Sequence, residues 1–398
     1  CMLNTDRRFS FKVEYKRGVI IMNTDGLMSQ VWSNKKPGVA VIGCGYWGTN
    51  YVRIFDRMPE AQLVAICDQR PERQQELKTE YPNVAVLGDL TETIQMSEVD
   101  VVIICTGATT HYAVTKQCLE AGKHVLVEKP MATTVADSRA LIRIARENNV
   151  TLMVGHTFLY NAAVEKVAEL VNDGQDSNIY YLYSRRTNMG PIRTDVNAVW
   201  DLAPHDVSIF NHFVKQAPQW VSAVGVKALN TEREDAAFIS LVYPNGIVGN
   251  IHISWVDPNK VRELVVVCSD KRIVFDDLNA LERVKVFEKG VVPTTVQANG
   301  YGAHQFYMRD GDIFSPRITM SEPLKNQCLH FLQSIRTNQL PLTDGQAGLE
   351  VVEVMEAIER SMELNGAPVY LDSSMVNGTD IHAGKPVLAN GHLSYELA

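Results

Sequence analysis

The segment Gly43-Cys44-Gly45-Tyr46-Trp47-Gly48 restricts the fold of this chain more than any other feature. It follows the apolar run Val39–Ile42 and opens a helix-like stretch over 46–56. Between a buried strand and a helix, such spacing has a mechanical reading. The first glycine makes the tight turn, the second lets backbone approach a phosphate, and the third lets helix pack closely on strand. Amide N–H groups at the helix start then face an anion, which the helix dipole favours. A dinucleotide pyrophosphate fits this place.

The surrounding pattern supports it. The apolar runs Val39–Ile42, Leu63–Cys67, Val84–Leu87, Val101–Cys105, His124–Val127 and Leu152–Val154 are rich in Val and Ile on both faces. They alternate with helical patterns near 46–56, 71–80, 110–121 and 133–148. This predicts an α/β fold that begins with a doubly wound parallel sheet of the Rossmann type. After about residue 157 the texture changes. Helices near 160–173 and 202–214 accompany the extended runs Ile179–Ser184, Val221–Val226, Ala237–Val242, Ile247–Trp255, Val261–Cys268, Arg272–Phe275 and Val284–Phe287. Strands so closely spaced predict a mostly antiparallel sheet and an α+β second half. Amphipathic helices over 323–337 and 345–364 cover that sheet or return to the first half. Residues 1–36 read as an N-terminal extension outside the fold, with Met22 and Met28 as candidate natural starts, and 373–398 as a C-terminal tail.

Asp68 ends the second strand run, where an acid that accepts from ribose hydroxyls is expected about 20 residues after the glycines. Its charge would repel a 2′-phosphate, so NAD is favoured over NADP. Arg70, which could face such a phosphate, weakens that preference.

A net charge of -8 argues against nucleic acid or an anionic membrane as partner. The pairs Lys35-Lys36 and Arg185-Arg186 read as solvated surface. The seven cysteines form no CxxC pair, and several sit in apolar runs, as in a reducing cytoplasm. No apolar run approaches the ~20 residues of a membrane span. No histidine spacing suggests a metal site.

Three segments carry candidate chemistry. Glu128-Lys129-Pro130 follows the strand His124–Val127, at the sheet end where ligands bind. Lys129 there is a proton donor, a base of lowered pKa, or a surface lysine before a turn. In Trp200-Asp201-Leu202-Ala203-Pro204-His205-Asp206, a helix starting near Leu202 makes Asp201 its N-cap and Pro204 part of its first turn. His205 is then a proton shuttle oriented by Asp201 or Asp206, or simply an exposed helix residue. Gly155-His156-Thr157-Phe158-Leu159-Tyr160-Asn161 lies at the junction of the halves, where His156, Tyr160 and Asn161 either touch substrate or pack as junction residues.

Together, Gly43–Gly48, Asp68, Glu128-Lys129-Pro130 and Asp201-x-x-x-His205 make the chain resemble the Gfo/Idh/MocA oxidoreductases over about 37–372. The resemblance implies a Rossmann domain over 37–156 and a substrate and oligomerisation domain with a large open sheet over 157–372. It implies NAD(P)-dependent hydride transfer at a sugar or cyclitol CH–OH, with NADP the less favoured cofactor. Lys129, His205 and Asp201 would be catalytic. Gly43, Gly45, Tyr46, Trp47, Gly48, Asp68, Arg70, Thr106, Glu128 and Lys129 would bind the cofactor. His156, Tyr160, Asn161, Arg193 and Asn197 would bind substrate, with no metal. The Lys129–Pro130 peptide is expected to be cis. Gly155–Asn161, Asn197–Asp206, Glu322-Pro323-Leu324-Lys325 and Asp257–Arg262 further resemble members acting on nucleotide-linked sugars. An inositol or free-sugar dehydrogenase and a non-catalytic dinucleotide-binding regulator are the alternatives. Relatives often pair through their open sheets. The apolar face of Ile247–Trp255 suggests a homo-oligomer, dimer or tetramer, unless the chain's own helices cover it.

Overall fold

The computed structural model describes residues 35–172, 178–229, 231–293 and 306–371, with two short strand pairs near the termini. Most of the expected N-terminal extension and C-terminal tail lie outside the described residues.

Six parallel strands form the first sheet: β1 (Gly38–Ile42), β2 (Gln62–Cys67), β3 (Ala85–Leu87), β4 (Val101–Ile104), β5 (His124–Glu128) and β6 (Leu152–Gly155). Their order is β3-β2-β1-β4-β5-β6. Val39, Val41, Val101, Ile103, Val125 and Val127 are fully buried, because helices cover both sheet faces. The helices are α1 (Tyr46–Arg57), α2 (Pro71–Glu80), α3 (Leu90–Gln95), α4 (His111–Glu120) and α5 (Val135–Glu147). The short α3, capped by Asp89, escapes the sequence pattern, since six residues are too few to show a period.

Helix α6 (Ala162–Val171) leads into a nine-stranded mixed sheet. Its strands are β7 (Ile179–Met189), β8 (Trp220–Val226), β9 (Ala236–Val242), β10 (Val248–Ser254), β11 (Val256–Cys268), β12 (Arg272–Asp276) and β13 (Val284–Phe287), with Ile313–Phe314 and Val369–Tyr370 at the edges. All neighbours are antiparallel except β7 and β10. Helix α7 (Ala198–Val214) packs across the inner face, where Ile251, Ile253 and Trp255 are buried. The chain's own helices therefore cover the apolar face of Ile247–Trp255. The opposite face stays open, with Val224, Phe238 and Val248 exposed and Phe238 stacked on His252.

Helices α8 (Pro323–Thr337) and α9 (Gly345–Glu363) close the fold. Helix α9 packs on α5, α7 and β8, so it joins both sheets. Just before it, Thr343 exchanges hydrogen bonds with Val154 of β6, at 2.8 Å from the Val154 N–H and 2.7 Å to its carbonyl. Among the described residues no helix is long and apolar enough to cross a membrane.

The sequence places the start of α7 near Leu202, but the helix begins at Ala198. Asn197 is its N-cap, the side chain accepting from the Trp200 N–H at 3.0 Å. Asp201 thus lies inside the helix, as does Pro204. Asn197 caps as well as Asp201 could and lies one turn earlier, so the helix starts there.

The glycine turn sets how closely α1 approaches β1. Gly43 has φ +86°, and a Cβ on Gly48 would sit 2.0 Å from the Gly43 carbonyl oxygen. Alanine is the better helix former by about 1 kcal/mol, but here backbone meets the methyl. Gly48→Ala is expected to lose about 1–3 kcal/mol of stability. Thermal and urea unfolding check this, and an unchanged or raised midpoint would mean that the turn is not close-packed.

Candidate functional site

The carboxyl ends of β1, β4 and β5 face the nine-stranded sheet across a cleft of ≈ 1010 Å³. Tyr46 and Trp47 of the glycine loop line it, with Thr106, Glu128, Lys129, Phe158, Asn161, Arg193, Asp201, His205 and Trp255. Gly45 caps α1 without a side-chain bond, and a Cβ there would meet nothing within 4 Å. The first-turn amides of α1 therefore lie beside open space, which suits a pyrophosphate. Next to it, Asp68 accepts the Cys44 N–H at 2.8 Å. Arg70 does not stand apart as a phosphate ligand. Its Nε and Nη2 grip the two Asp68 oxygens at 2.9 and 2.8 Å, and its Nη2 also reaches the Cys44 carbonyl. Burial alone would raise the Asp68 carboxyl, but Arg70 and the Arg70 and Cys44 amides hold it below its usual value.

Lys129 is buried at the end of β5, and the Lys129–Pro130 peptide is cis, as the family resemblance implied. Its Nζ donates to the Asp201 carbonyl at 2.6 Å and lies 3.3 Å from Asp201 Oδ1. Arg193 Nη1 reaches the same Oδ1 at 3.2 Å, and Trp255 Nε1 donates to Oδ2 at 3.2 Å. Burial pushes the Asp201 carboxyl up, yet Lys129, Arg193 and Trp255 together hold it below its usual value. Burial pulls the Lys129 amine down, and Asp201 and Glu128 offset only part of this. Arg193 is fixed in turn by Asp195 at 2.6 and 2.9 Å.

The preceding acid, Glu128, is fully engaged. Its Oε1 accepts from Tyr51 at 2.7 Å, its Oε2 accepts the Lys129 N–H at 3.1 Å, and Gln327 donates to the Tyr51 hydroxyl at 2.7 Å. Burial raises the Glu128 carboxyl, opposed mainly by the Tyr51 bond. Tyr51 and Gln327 escape sequence reading because they meet Glu128 only through the fold, from α1 and α8.

His205 lines the cleft beside Lys129, but neither expected carboxylate orients it. Asp201 is engaged by Lys129, Arg193 and Trp255. Asp206 is bonded to Arg186 at 2.8 and 3.1 Å. Nδ1 of His205 has no protein partner, and its ring packs edge-on against Phe158 at 5.0 Å. Burial, then the charges of Lys129 and Arg186, keep His205 neutral, well below its ordinary pKa.

The expected substrate residues divide. Arg193 and Asn161 line the cleft, although Asn161 also caps α6 by accepting the Ala163 N–H. His156 is buried, does not line the cleft, and has no partner on either ring nitrogen. Tyr160 points away, with its hydroxyl on Thr343 and its ring against His330. Asn197 is the α7 cap and donates to Glu234 at 2.9 Å. These last three do not reach the cleft. Arg186 does, against its reading as solvated surface. Alternation along β7 leaves Arg185 exposed and turns Arg186 inward. Among the described residues no group of His, Cys, Asp and Glu could hold a metal.

His156 predicts a pH dependence. Burial, with a smaller push from Lys129, lowers its pKa from 6.5 to about 4. Within that window the unfolded chain binds the proton and the folded one does not, so stability falls as the pH drops. Each pH unit costs about 1.4 kcal/mol. Urea unfolding of wild type and His156→Gln near pH 7 and near pH 5 should show the variant losing about 1–2 kcal/mol less. Equal losses would count against a buried neutral His156.

Comparison with known proteins agrees with this geometry. The family model described as "Oxidoreductase family, NAD-binding Rossmann fold" (Gfo/Idh/MocA) matches residues 38–156, and the model of the Gfo/Idh/MocA C-terminal domain matches 164–274, together more than half the chain. The UDP-N-acetylglucosamine 3-dehydrogenase of Acidithiobacillus ferrooxidans is 29% identical over 258 residues, 64% of this chain and 78% of that protein. Its solved structure superposes with a TM-score of 0.68 at 25% identity, covering 82% of this chain and 97% of its own. The myo-inositol 2-dehydrogenase of Thermotoga maritima is 25% identical over 335 residues, 82% of this chain and 96% of that protein. GenD2 of gentamicin A biosynthesis, solved in complex with NAD, shares the fold with a TM-score of 0.71 at 22% identity, over 89% of this chain and 100% of its own.

Proposed function

Because the chain belongs to the Gfo/Idh/MocA oxidoreductases through both of its domains, we propose that this NAD(P)-dependent oxidoreductase transfers hydride between nicotinamide and a sugar CH–OH. The observation that carries this reading is the buried Lys129–Asp201 pair, with neutral His205 beside it, in the cleft that the glycine loop lines. The dinucleotide, when bound, supplies the hydride acceptor or donor. Residues 37–156 form the dinucleotide-binding unit, and 157–372 form the substrate and oligomerisation unit.

In the oxidation direction, the hydroxyl proton must leave as hydride departs, because a free alkoxide is too high in energy. Lys129 hydrogen-bonds the reacting oxygen and stabilises its developing charge. Burial lowers the pKa of Lys129, which eases proton exchange with the reacting oxygen. His205, neutral and lining the cleft beside Lys129, accepts the proton beyond it. Asp201 holds Lys129 rather than His205, and Arg193 holds Asp201 in turn. Glu128, braced by Tyr51, fixes the backbone from which Lys129 projects.

The substrate we favour is a nucleotide-linked sugar, the kind of substrate for which the Acidithiobacillus relative is named. An inositol or free sugar is the second reading, supported by the Thermotoga match over 96% of that enzyme. A non-catalytic regulator is disfavoured because Lys129 and His205 are both present in the cleft. NAD is the favoured cofactor, since the Asp68 carboxylate stands beside the turn and Arg70 is already engaged by it. The exposed sheet face around Phe238 supports a homo-oligomer, and the buried free cysteines support a reducing cytoplasm.

Lys129→Ala and His205→Ala should each lower turnover by roughly 10²–10⁴-fold while dinucleotide binding persists. The check is absorbance of the reduced nicotinamide with a panel of free sugars, inositols and UDP-sugars. Full turnover in both variants would refute this mechanism. Asp68→Ala should shrink the preference for NAD over NADP by roughly tenfold, since it removes the carboxylate facing the ribose. An unchanged ratio of kcat/KM values would place the ribose elsewhere.

A further inference from the structure

Two arginines stand side by side on the floor of the cleft. Arg186 on β7 and Arg262 on β11 are direct cross-strand partners, and both line the cleft. Like charges placed opposite one another in a sheet repel, so an acid is needed for each. The acids nearby serve only one of them. Asp206 takes Arg186 through two bonds. Asp201 is engaged by Lys129, Arg193 and Trp255. Asp277 accepts from the Asn161 amide, and only its backbone N–H meets Arg262, at the carbonyl oxygen. Among the described residues no carboxylate lies within ion-pair distance of Arg262, and its Nε has no partner. Nη1 of Arg186, buried to 4% exposure, also lacks one. Burial and the Arg186 charge outweigh the attraction of Asp277, Asp206 and Asp201, none of them within ion-pair distance, and make Arg262 easier to deprotonate than an ordinary arginine.

A cation left unpaired in a half-buried site is costly, and an anion that enters the site relieves the cost. The location says what kind of anion. The Arg186 guanidinium lies over the Phe158 ring at 4.5 Å, and the same ring packs edge-on against His205 at 5.0 Å. Arg262, the cross-strand neighbour of Arg186, also acts on the His205 ring through its charge, so the excess charge lies close to the proposed proton acceptor.

We propose that Arg262, backed by Arg186, forms an anion subsite beside the reacting centre, which takes a carboxylate or phosphoryl group carried by the substrate. This rests on the reading of the cleft as the sugar site. It makes the substrate an anionic sugar rather than a neutral one. The group is either a carboxylate on the sugar itself or the diphosphate of a nucleotide linkage.

Binding tests this independently of turnover. Wild type and Arg262→Gln, each loaded with NAD, are titrated calorimetrically with glucose, glucuronate, UDP-glucose, UDP-glucuronate and inorganic phosphate. At least one anionic probe should bind wild type roughly ten- to hundredfold tighter than glucose, and Arg262→Gln should abolish that preference. Glucuronate above glucose identifies a carboxylate. UDP-glucose above glucose, with no gain for UDP-glucuronate, identifies the diphosphate. The variant should melt at or above the wild-type midpoint, because it removes an unpaired charge. Arg262→Lys should restore part of the preference. Equal affinities for all probes, no anion binding at millimolar concentration, a preference that survives in Arg262→Gln, or a lowered midpoint would each overturn the proposal. If no sugar is turned over yet anion binding depends on Arg262, the dehydrogenase reading fails and the anion subsite stands.

Discussion

The contact on which the site depends is the bond between Lys129 Nζ and Asp201. It joins the end of a strand in the first sheet to a helix that covers the second. A buried ammonium needs a partner, because the cost of removing it from water exceeds what a lone charge can recover. Asp201 supplies that partner from the other side of the cleft. Everything nearby follows the same demand. Arg193 and Trp255 complete the lone pairs of Asp201, Asp195 holds Arg193, and Glu128 and Tyr51 hold the backbone of Lys129. The cleft is therefore a chain of charge compensation that runs across the domain boundary. The two halves meet at the lysine proposed to act on the substrate.

Much of this was legible in the sequence, for reasons that differ by residue. The first sheet could be read because its strands are buried on both faces and its glycines are required by close approach. Gly43, with its positive φ, and Gly48, against a carbonyl oxygen, have no substitute. Topology put Lys129 at the end of β5, but only the family resemblance set it above a surface lysine before a turn. The partners of Lys129 and His205 were not. Spacing along a helix suggested that Asp201 serves His205, four residues on. The fold brings Lys129 from 72 residues away in sequence, and the longer-range partner carries the charge. The start of α7 was missed because two capable caps, Asn197 and Asp201, lie within one turn of each other. Arg186 was misread because two adjacent arginines look like surface, whereas a strand sends neighbours to opposite faces.

The same alternation explains why the second sheet has two characters. Its inner face is sealed by α7 and α9 and carries Ile251, Ile253 and Trp255, with the arginines where it meets the cleft. Its outer face presents Phe238 stacked on His252 between exposed valines. One strand, β10, contributes to both, so packing and exposure are divided residue by residue rather than strand by strand.

The bond between Thr343 and Val154 has a consequence for how the protein is made. Strand β6 is the last in its sheet, and an open strand edge invites pairing with other chains. The segment that occupies this edge, where Met153 bridges to Asp344, comes from near the end of the chain. Val154 and Thr343 are separated by 189 positions. At roughly 5–20 residues per second, a ribosome needs about 10–40 seconds to cross that interval. For that time the newly made first domain carries an unguarded edge. The edge of the first sheet is thus completed only when the segment leading into α9 has been made.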